Sequence, residues 1–427
     1  MAEYSRIRAL WPDHLGLARG KYLPARLAEA GTNHALTVFG LGYDREIYPA
    51  PHTGADVGFP DMEARFSMGD VRPGWEESTG VVVAGLSYEG KPLRISPRET
   101  LQRAIHDWTT LGYTPKVGIE LEGYVLEPDG VGGWKPWDTP GAFVYGTGTG
   151  VDPVGLMDEI MVVAEAVGLP VEAINSEFDS PQFEMTLEYG NALEACDEVF
   201  LFKVMAREVA QSHGLLLTFM GRPFADRGGN GTHVNLSFED VDGNNVFADP
   251  GAGDGLSEMA RSCIAGLLEH HRGMTALCAP TVNAYKRLRP AQMSGYWSNW
   301  GYDHRCVAVR VPPARGKGTR LESRLADGAV NPHMATAAVL QAARLGFVAG
   351  SRPPEPESGD GIEEVCTEEH VPTSLAEALD AMEADPEFIE AMGSELVEHF
   401  LVIKRAEWER FDNAVTDWET GEYLPFL

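Results

Sequence analysis

A chain of 427 residues with 64 acidic against 34 basic side chains carries a formal net charge of −30. That argues against nucleic acid and anionic membranes as partners, since both are held by basic patches. Its 44 % hydrophobic share is that of an ordinary globular protein, and no stretch approaches the ~20 apolar residues of a membrane helix.

The elements follow in chain order. Up to residue 95 the chain reads as short strands and loops rich in Gly and Pro. Ser96-Pro97 then reads as a helix start, with an N-cap serine and proline at the first helical position. A boundary is therefore expected there, giving regions 1–95 and 96–427. Val117–Tyr124 alternates as a strand, with Ile119 and Leu121 facing a core and Glu120 and Glu122 sharing the other face, about 6–7 Å apart at Cα. Alone, that is the ordinary polar face of a half-buried strand. A helix is expected from Asp152-Pro153 to Gly168. Gln182–Thr186 puts Gln182, Glu184 and Thr186 on one face, and Glu177 stands seven residues before Glu184 across the Asp179-Ser180-Pro181 turn. A helix follows Asn191, with Cys196, Val199, Phe202, Met205 and Val209 at helical spacing, ending near Gly214. Thr232–Ser237 gathers His233, Asn235 and Ser237 after the glycine-rich Arg227–Gly231, and Arg320–Arg324 gathers Arg320, Glu322 and Arg324. Residues 352–370, rich in Pro, Gly and Glu, read as an exposed loop. Hairpin-linked strands alternating with helices make the fold class α+β. Five cysteines without paired spacing and a start lacking an apolar run fit a reducing cytoplasm.

Taken singly, His233 reads as a satisfied histidine and Glu322 as a salt-bridge partner. Together, five carboxylates, one histidine and several arginines fall on the polar faces of four strands, and a concave sheet would make them one cavity wall. Carboxylates held that close repel unless cations sit between them. An oxygen-rich set with a single imidazole selects Mg²⁺ or Mn²⁺ over zinc. Two such ions clamp the oxygens of a phosphoryl group in flight, and arginines neutralise the charge it gathers.

These stretches resemble the glutamine synthetase family. Further matches in order are Leu15–Lys21, Thr281–Leu288, Trp300–Arg305, Val309–Pro312 and Arg324–His333, so the resemblance spans nearly the whole chain. It implies a small N-terminal β-grasp domain and a catalytic domain with a curved antiparallel sheet. It implies ATP and two or more Mg²⁺ or Mn²⁺ ions, and a homo-oligomer, a dodecamer of two hexameric rings with active sites between subunits. Position by position, Glu122, Glu177 and Glu184 would hold the ion beside the acid substrate, and Glu120, His233 and Glu322 the ion bridging the ATP phosphates. Arg287 and Arg324 would clamp the carboxylates of glutamate, and Gly229 would offer backbone to its amino group. Arg305, Arg310 and Arg320 would line the phosphate path, with Glu172, Ser237 and, through a looser match, Lys317 near the nucleotide. Arg287, Arg305 and Arg324 are thus the expected catalytic arginines.

The departures set the substrate expectation. Ammonia-using members carry a flap glutamate where this chain has Met293, and a "D-G-S-S" turn where it reads Phe39–Glu46. Methionine neither attracts a cation by charge nor takes its proton; it packs against carbon. Asn235 stands where many members have histidine, Gly228 replaces an asparagine that helps hold glutamate, and Pro181 replaces a usual glycine. The expectation is a ligase joining glutamate to an organic monoamine, with Met293 in the amine pocket. Its alternatives are a glutamine synthetase with a rebuilt ammonium site and, ranked low because all six metal ligands are present, a non-catalytic relative. Asp44 or Glu46 would be the partner of a second ammonium. The aromatic run Tyr296–Trp300 reads equally as a cover for the amine or as packing of the flap.

Overall fold

The computed structural model describes residues 4–139 and 141–427. The residues up to 95 build two four-stranded sheets. In one, strand Arg6–Pro12 lies between antiparallel Ala18–Pro24 and parallel Thr79–Val83, with Arg72–Pro73 at the far edge. The other runs Thr32–Ala35, Asp61–Arg65, Gly85–Tyr88 and Lys91–Pro92, all antiparallel. Ile7 and Val82 centre a small apolar cluster on the first sheet, and Trp11 of its strand Arg6–Pro12 packs with Phe39 and Met62 in a second cluster shared with the other sheet.

The helix Pro97–Thr110 begins where the Ser96-Pro97 pair predicts. Ser96 does not cap it in the expected way. Its hydroxyl donates to Glu99, whose other oxygen accepts the N–H of Leu86 at 2.7 Å, so the helix start is tied to strand Gly85–Tyr88. The helix expected from Asp152 begins at Leu156, because the Asp152 carboxylate accepts the N–H groups of Leu156 and Met157 at 2.9 and 2.8 Å. The helix after Asn191 runs Ala192–Ser212 as predicted. Residues 352–370 form no helix or ladder strand, but they are not wholly exposed as expected. Glu357 is buried and accepts Asn299 Nδ2 at 2.8 Å and the backbone N–H groups of Ser358, Gly359 and Cys366.

The large sheet carries the polar motifs. Its main strands are β1 (Thr114–Pro128), β2 (Val171–Ser176), β3 (Gln182–Leu187), β4 (Thr232–Glu239), β5 (Trp300–Tyr302), β6 (Val309–Val311) and β7 (Leu321–Ser323). Their order is β2-β3-β1-β4-β7-β6-β5, antiparallel throughout except for β5 beside β6. Val117, Ile119, Leu121, Met185, Val234 and Leu236 are fully buried on one face, in the main core with the helices. The alternation read in the sequence is thus physical: those apolar side chains leave water on one face and the charged ones project from the other. Helices Glu258–Glu269 and Pro332–Ala349 meet through Gly266 and Gly346, where a Cβ at either position would collide with the facing backbone. Mixed helices and sheets of this kind agree with the α+β expectation. All five cysteines are free, and no helix among the described residues is long and apolar enough to cross a membrane.

Candidate active site

Strand register assembles the polar face. Glu120 on β1 stands opposite His233 on β4 and Thr186 on β3, while Glu122 stands opposite Glu184. Asn235 on β4 faces Glu322 on β7, which in turn faces Arg310 on β6. Directly paired residues of antiparallel strands project from the same face, so residues from five strand segments of the sequence converge there.

Two tight groups result. Ligand atoms of Glu120, His233 and Glu322 lie within 4.8 Å of one another, as do those of Glu122, Glu184 and His233. His233 Nδ1 is 3.0 Å from Glu120 Oε2 and 3.8 Å from Glu322, and its Nε2 is 3.7 Å from Glu122. Glu120 also accepts Asn235 Nδ2 at 3.0 Å, and Glu122 accepts the N–H of Gly231 at 2.6 Å. Glu322, 1 % exposed, accepts Arg310 Nη1 at 2.7 Å and is also bonded to Arg324. Glu177, grouped by the resemblance with Glu122 and Glu184, lines the same cavity but belongs to neither tight group.

The electrostatics are those of a site built around positive charge. Burial, then the negative charge of Glu120, push the Glu184 carboxyl up to about 7. Burial and Glu122 likewise raise Glu177. Burial opposes the charge on Glu120 as well, yet the hydrogen bond and charge of His233 hold its carboxyl down at about 2. Carboxylate oxygens around one imidazole nitrogen fit a hard divalent ion, Mg²⁺ or Mn²⁺.

Glu120, Glu122, Glu177, Glu184 and His233 line a cavity of about 860 Å³. It also takes in Glu172, Gly229, Arg287, Met293, Arg305, Arg310, Arg320 and Arg324. Ser237 and Lys317 line an adjoining cavity of about 270 Å³, which shares Glu120, Glu172, Thr186 and Arg320 with the first. Every sequence-predicted site residue except Glu322, which is buried and touches the site through Arg310 and Arg324, therefore falls on one of two connected hollows. Arg320 Nε donates to Asn235 Oδ1 at 3.0 Å, so Asn235 links this arginine to Glu120. Arg287 is buried and donates to the carbonyls of Arg324 and Leu325, both at 3.1 Å. A Cβ at Gly229 would come 2.7 Å from Arg287 Cγ and 2.8 Å from Gly221 O, which explains why only glycine's bare backbone fits at this wall.

Met293 is 53 % exposed at the cavity wall, and its carbonyl accepts Arg324 Nη2 at 3.3 Å. The aromatic run after it turns out to be packing, not cover. Tyr296 stacks on His370 with ring centroids 5.0 Å apart, Trp300 Nε1 donates to Pro354 O at 2.7 Å, and neither ring lines the cavity. Sequence reasoning passed over Tyr145, Phe178 and Asp179, which do line it. Tyr145 lies in a loop without periodicity, so no pattern marked it. Asp179 accepts the N–H of Gly228, and Gln182 Nε2 donates to Gly229 O at 3.0 Å; together they fix the glycine-rich loop, whose backbone groups needed such partners.

Comparison with known proteins agrees with this geometry. The family described as "Glutamine synthetase, catalytic domain" matches residues 94–423. A glutamine synthetase of Methanocaldococcus jannaschii is 33 % identical over 98 % of this chain and 94 % of its own length. The γ-glutamylethanolamide synthetase GlnA4 of Streptomyces coelicolor is 34 % identical over 96 % of this chain and 90 % of its own. A solved structure of ligand-free GmaS superposes with a TM-score of 0.86 at 30 % identity, covering 99 % of this chain and 97 % of that one. The charged sheet face, its arginines and this full-length similarity place the chain in the glutamine synthetase family.

Proposed function

We propose that the protein is an ATP-dependent ligase that joins the γ-carboxyl of glutamate to an organic monoamine. The family ligates glutamate at the expense of ATP, and its members divide between ammonia and amines. The observation that carries the amine reading is Met293 at the cavity wall, in place of the flap carboxylate. A small ammonium ion entering there gives up hydration without a carboxylate at this position to offset the loss, whereas a methionine side chain offers carbon to an organic tail.

Glu120, His233 and Glu322 would hold one divalent ion, and Glu122 and Glu184, with Glu177 beside them, the other. When bound, the ions neutralise phosphate charge. Arg287 and Arg324 orient glutamate, and Arg305, Arg310 and Arg320 face the phosphates of ATP, whose base side would occupy the hollow of Glu172, Ser237 and Lys317. A γ-carboxylate oxygen attacks the terminal phosphorus and the bond to ADP breaks, giving γ-glutamyl phosphate. The neutral amine nitrogen then attacks the carbonyl carbon. The C–N bond forms, the C–O bond to phosphate breaks with its electron pair, and the nitrogen sheds a proton to phosphate or solvent.

The open edge strand Ala18–Pro24, with its outward side unpaired in the sheet and Tyr22 exposed, supports assembly into a homo-oligomer. Action in the cytoplasm on free glutamate and a small amine completes the reading. The second reading, a glutamine synthetase, is favoured by the similarity to the Methanocaldococcus enzyme.

Phosphate release from ATP with Mg²⁺ or Mn²⁺, glutamate and a panel of ammonium, methylamine, ethanolamine, isopropylamine, putrescine and aniline separates the two. Strong turnover with one organic amine and weak turnover with ammonium supports the proposal. Ammonium as the best substrate would replace it with the second reading.

A further inference from the structure

In a cavity walled mostly by carboxylates and arginines, the large apolar groups are few and gathered from three segments: Tyr145 from the loop before the helix Leu156–Ala166, Phe178 just after β2, and Met293 from the flap. Tyr145 and Phe178 are 69 % and 78 % exposed, with no aromatic or cationic partner for either ring among the described residues. Neither position is left to chance. Tyr145 has φ 57°, a left-handed backbone that a bulky residue adopts only when its surroundings impose it. Its N–H donates to Ser176 O at 3.0 Å, and Ser176 Oγ donates back to Phe143 O at 2.6 Å, clamping the loop to the end of β2. The Phe178 N–H donates to Glu177 Oε2 at 3.1 Å, which fixes the backbone under this ring beside a member of the charged wall.

The location indicates what the rings would meet. Ser237 and Lys317, the nucleotide candidates, lie in the adjoining hollow, which Tyr145, Phe178 and Met293 do not line. Met293 is instead joined through its carbonyl to Arg324, the proposed glutamate clamp. Beside it Ser294 lines the cavity at 3 % exposure, and its hydroxyl has no hydrogen-bond partner among the described residues, a buried polar group that a bound molecule would satisfy. Ring faces attract an alkylammonium ion and pack against its carbon chain. The apolar side chains add no second carboxylate, and the nearby Asp179 is engaged by the N–H of Gly228.

Resting on the amine-ligase reading, we infer that Tyr145, Phe178 and Met293 form a collar that selects the amine by its tail, a short alkyl or hydroxyalkyl group with no second charge. The collar determines specificity; it performs no bond chemistry.

The test compares KM values for the preferred amine, for ammonium and for glutamate in wild type, Phe178→Ala, Tyr145→Asn and Ser294→Ala. Asparagine tolerates the left-handed backbone while removing the ring. Trp134→Ala, an exposed aromatic on a distant hairpin, is the control. Phe178→Ala and Tyr145→Asn should each raise the KM of the organic amine about tenfold relative to that of glutamate, while ammonium, which has no tail, responds far less. Ser294→Ala should raise the amine KM by a smaller factor. If wild type uses an organic amine and both ring variants keep its KM, the collar is wrong and the ligase reading stands. If wild type uses ammonium alone, both fall. Preference for putrescine would overturn the uncharged-tail assignment.

Discussion

Glu184→Gln removes one charge from a face where carboxylates crowd one another, and its effect should change sign with metal. In the metal-free protein, burial and then Glu120 raise the Glu184 carboxyl from 4.5 to about 7. A carboxyl raised on folding contributes stability that is fully present below its unfolded value and is lost as pH rises through its folded value. The metal-free wild type therefore weakens between about pH 4.5 and 7. At ~1.4 kcal/mol per pKa unit the loss is about 3 kcal/mol at most, and partial solvent screening brings it nearer ~2 kcal/mol. Glutamine does not ionise and escapes this loss. With a divalent ion bound, the same carboxylate becomes a ligand, and a tenfold weaker affinity forfeits ~1.4 kcal/mol of ion-dependent stability. The assay is thermal unfolding at pH 8 and pH 5, in EDTA and in saturating Mn²⁺. In EDTA at pH 8 the variant should melt about 2–4 °C above wild type. That gain should vanish at pH 5, and the Mn²⁺-induced rise should be smaller than in wild type. A variant that melts below wild type in EDTA at pH 8, or gains as much from Mn²⁺, would refute the claim that these acids are gathered for a cation.

Glu322→Ala should behave oppositely, costing about 3–5 kcal/mol by denaturant unfolding in EDTA because it takes the carboxylate partner from a buried arginine; that arginine is Arg324, whereas Arg310 loses the same contact but keeps Asp303. Arg287→Lys loses the planar fork that reaches the carbonyls of Arg324 and Leu325 together. Its KM for glutamate should rise tenfold or more, on the order of 1.4 kcal/mol, with the KM for ATP moving far less. Met293→Glu should shift kcat/KM toward ammonium relative to the organic amine by roughly tenfold, the scale of one added ion pair in a partly buried site; an unchanged ratio would remove the flap from the specificity argument.

Much of the site was legible because strand periodicity is a strict geometric code. Glu120 with Glu122 and Glu184 with Thr186 were assigned to one face by alternation, and the structure puts them there. Which strands are neighbours was not legible. The pairing of Glu120 with His233 and of Glu322 with Asn235 depends on long-range register, which no local pattern specifies. One helix start shifted because a side chain took an unexpected partner, as Asp152 did by capping from outside; at Ser96 the start held and only the cap differed, its hydroxyl bonding Glu99. The aromatic run Tyr296–Trp300 left cover and packing equally open because composition does not say which way a ring turns; His370 and Pro354, far along the chain, claim its rings. Tyr145 and Phe178 stayed hidden for the converse reason, since loop positions carry no period at all.

The central claim is that this cavity ligates glutamate to an organic amine in preference to ammonia. Its most direct test is competition: the purified protein, ATP, Mg²⁺ or Mn²⁺ and glutamate are incubated with an equimolar mixture of ammonium, methylamine, ethanolamine and isopropylamine, and the products are identified by mass. A single γ-glutamyl alkyl- or hydroxyalkylamide dominating over glutamine, with ADP and phosphate formed in equal amounts, is the predicted result. Glutamine as the main product would contradict it.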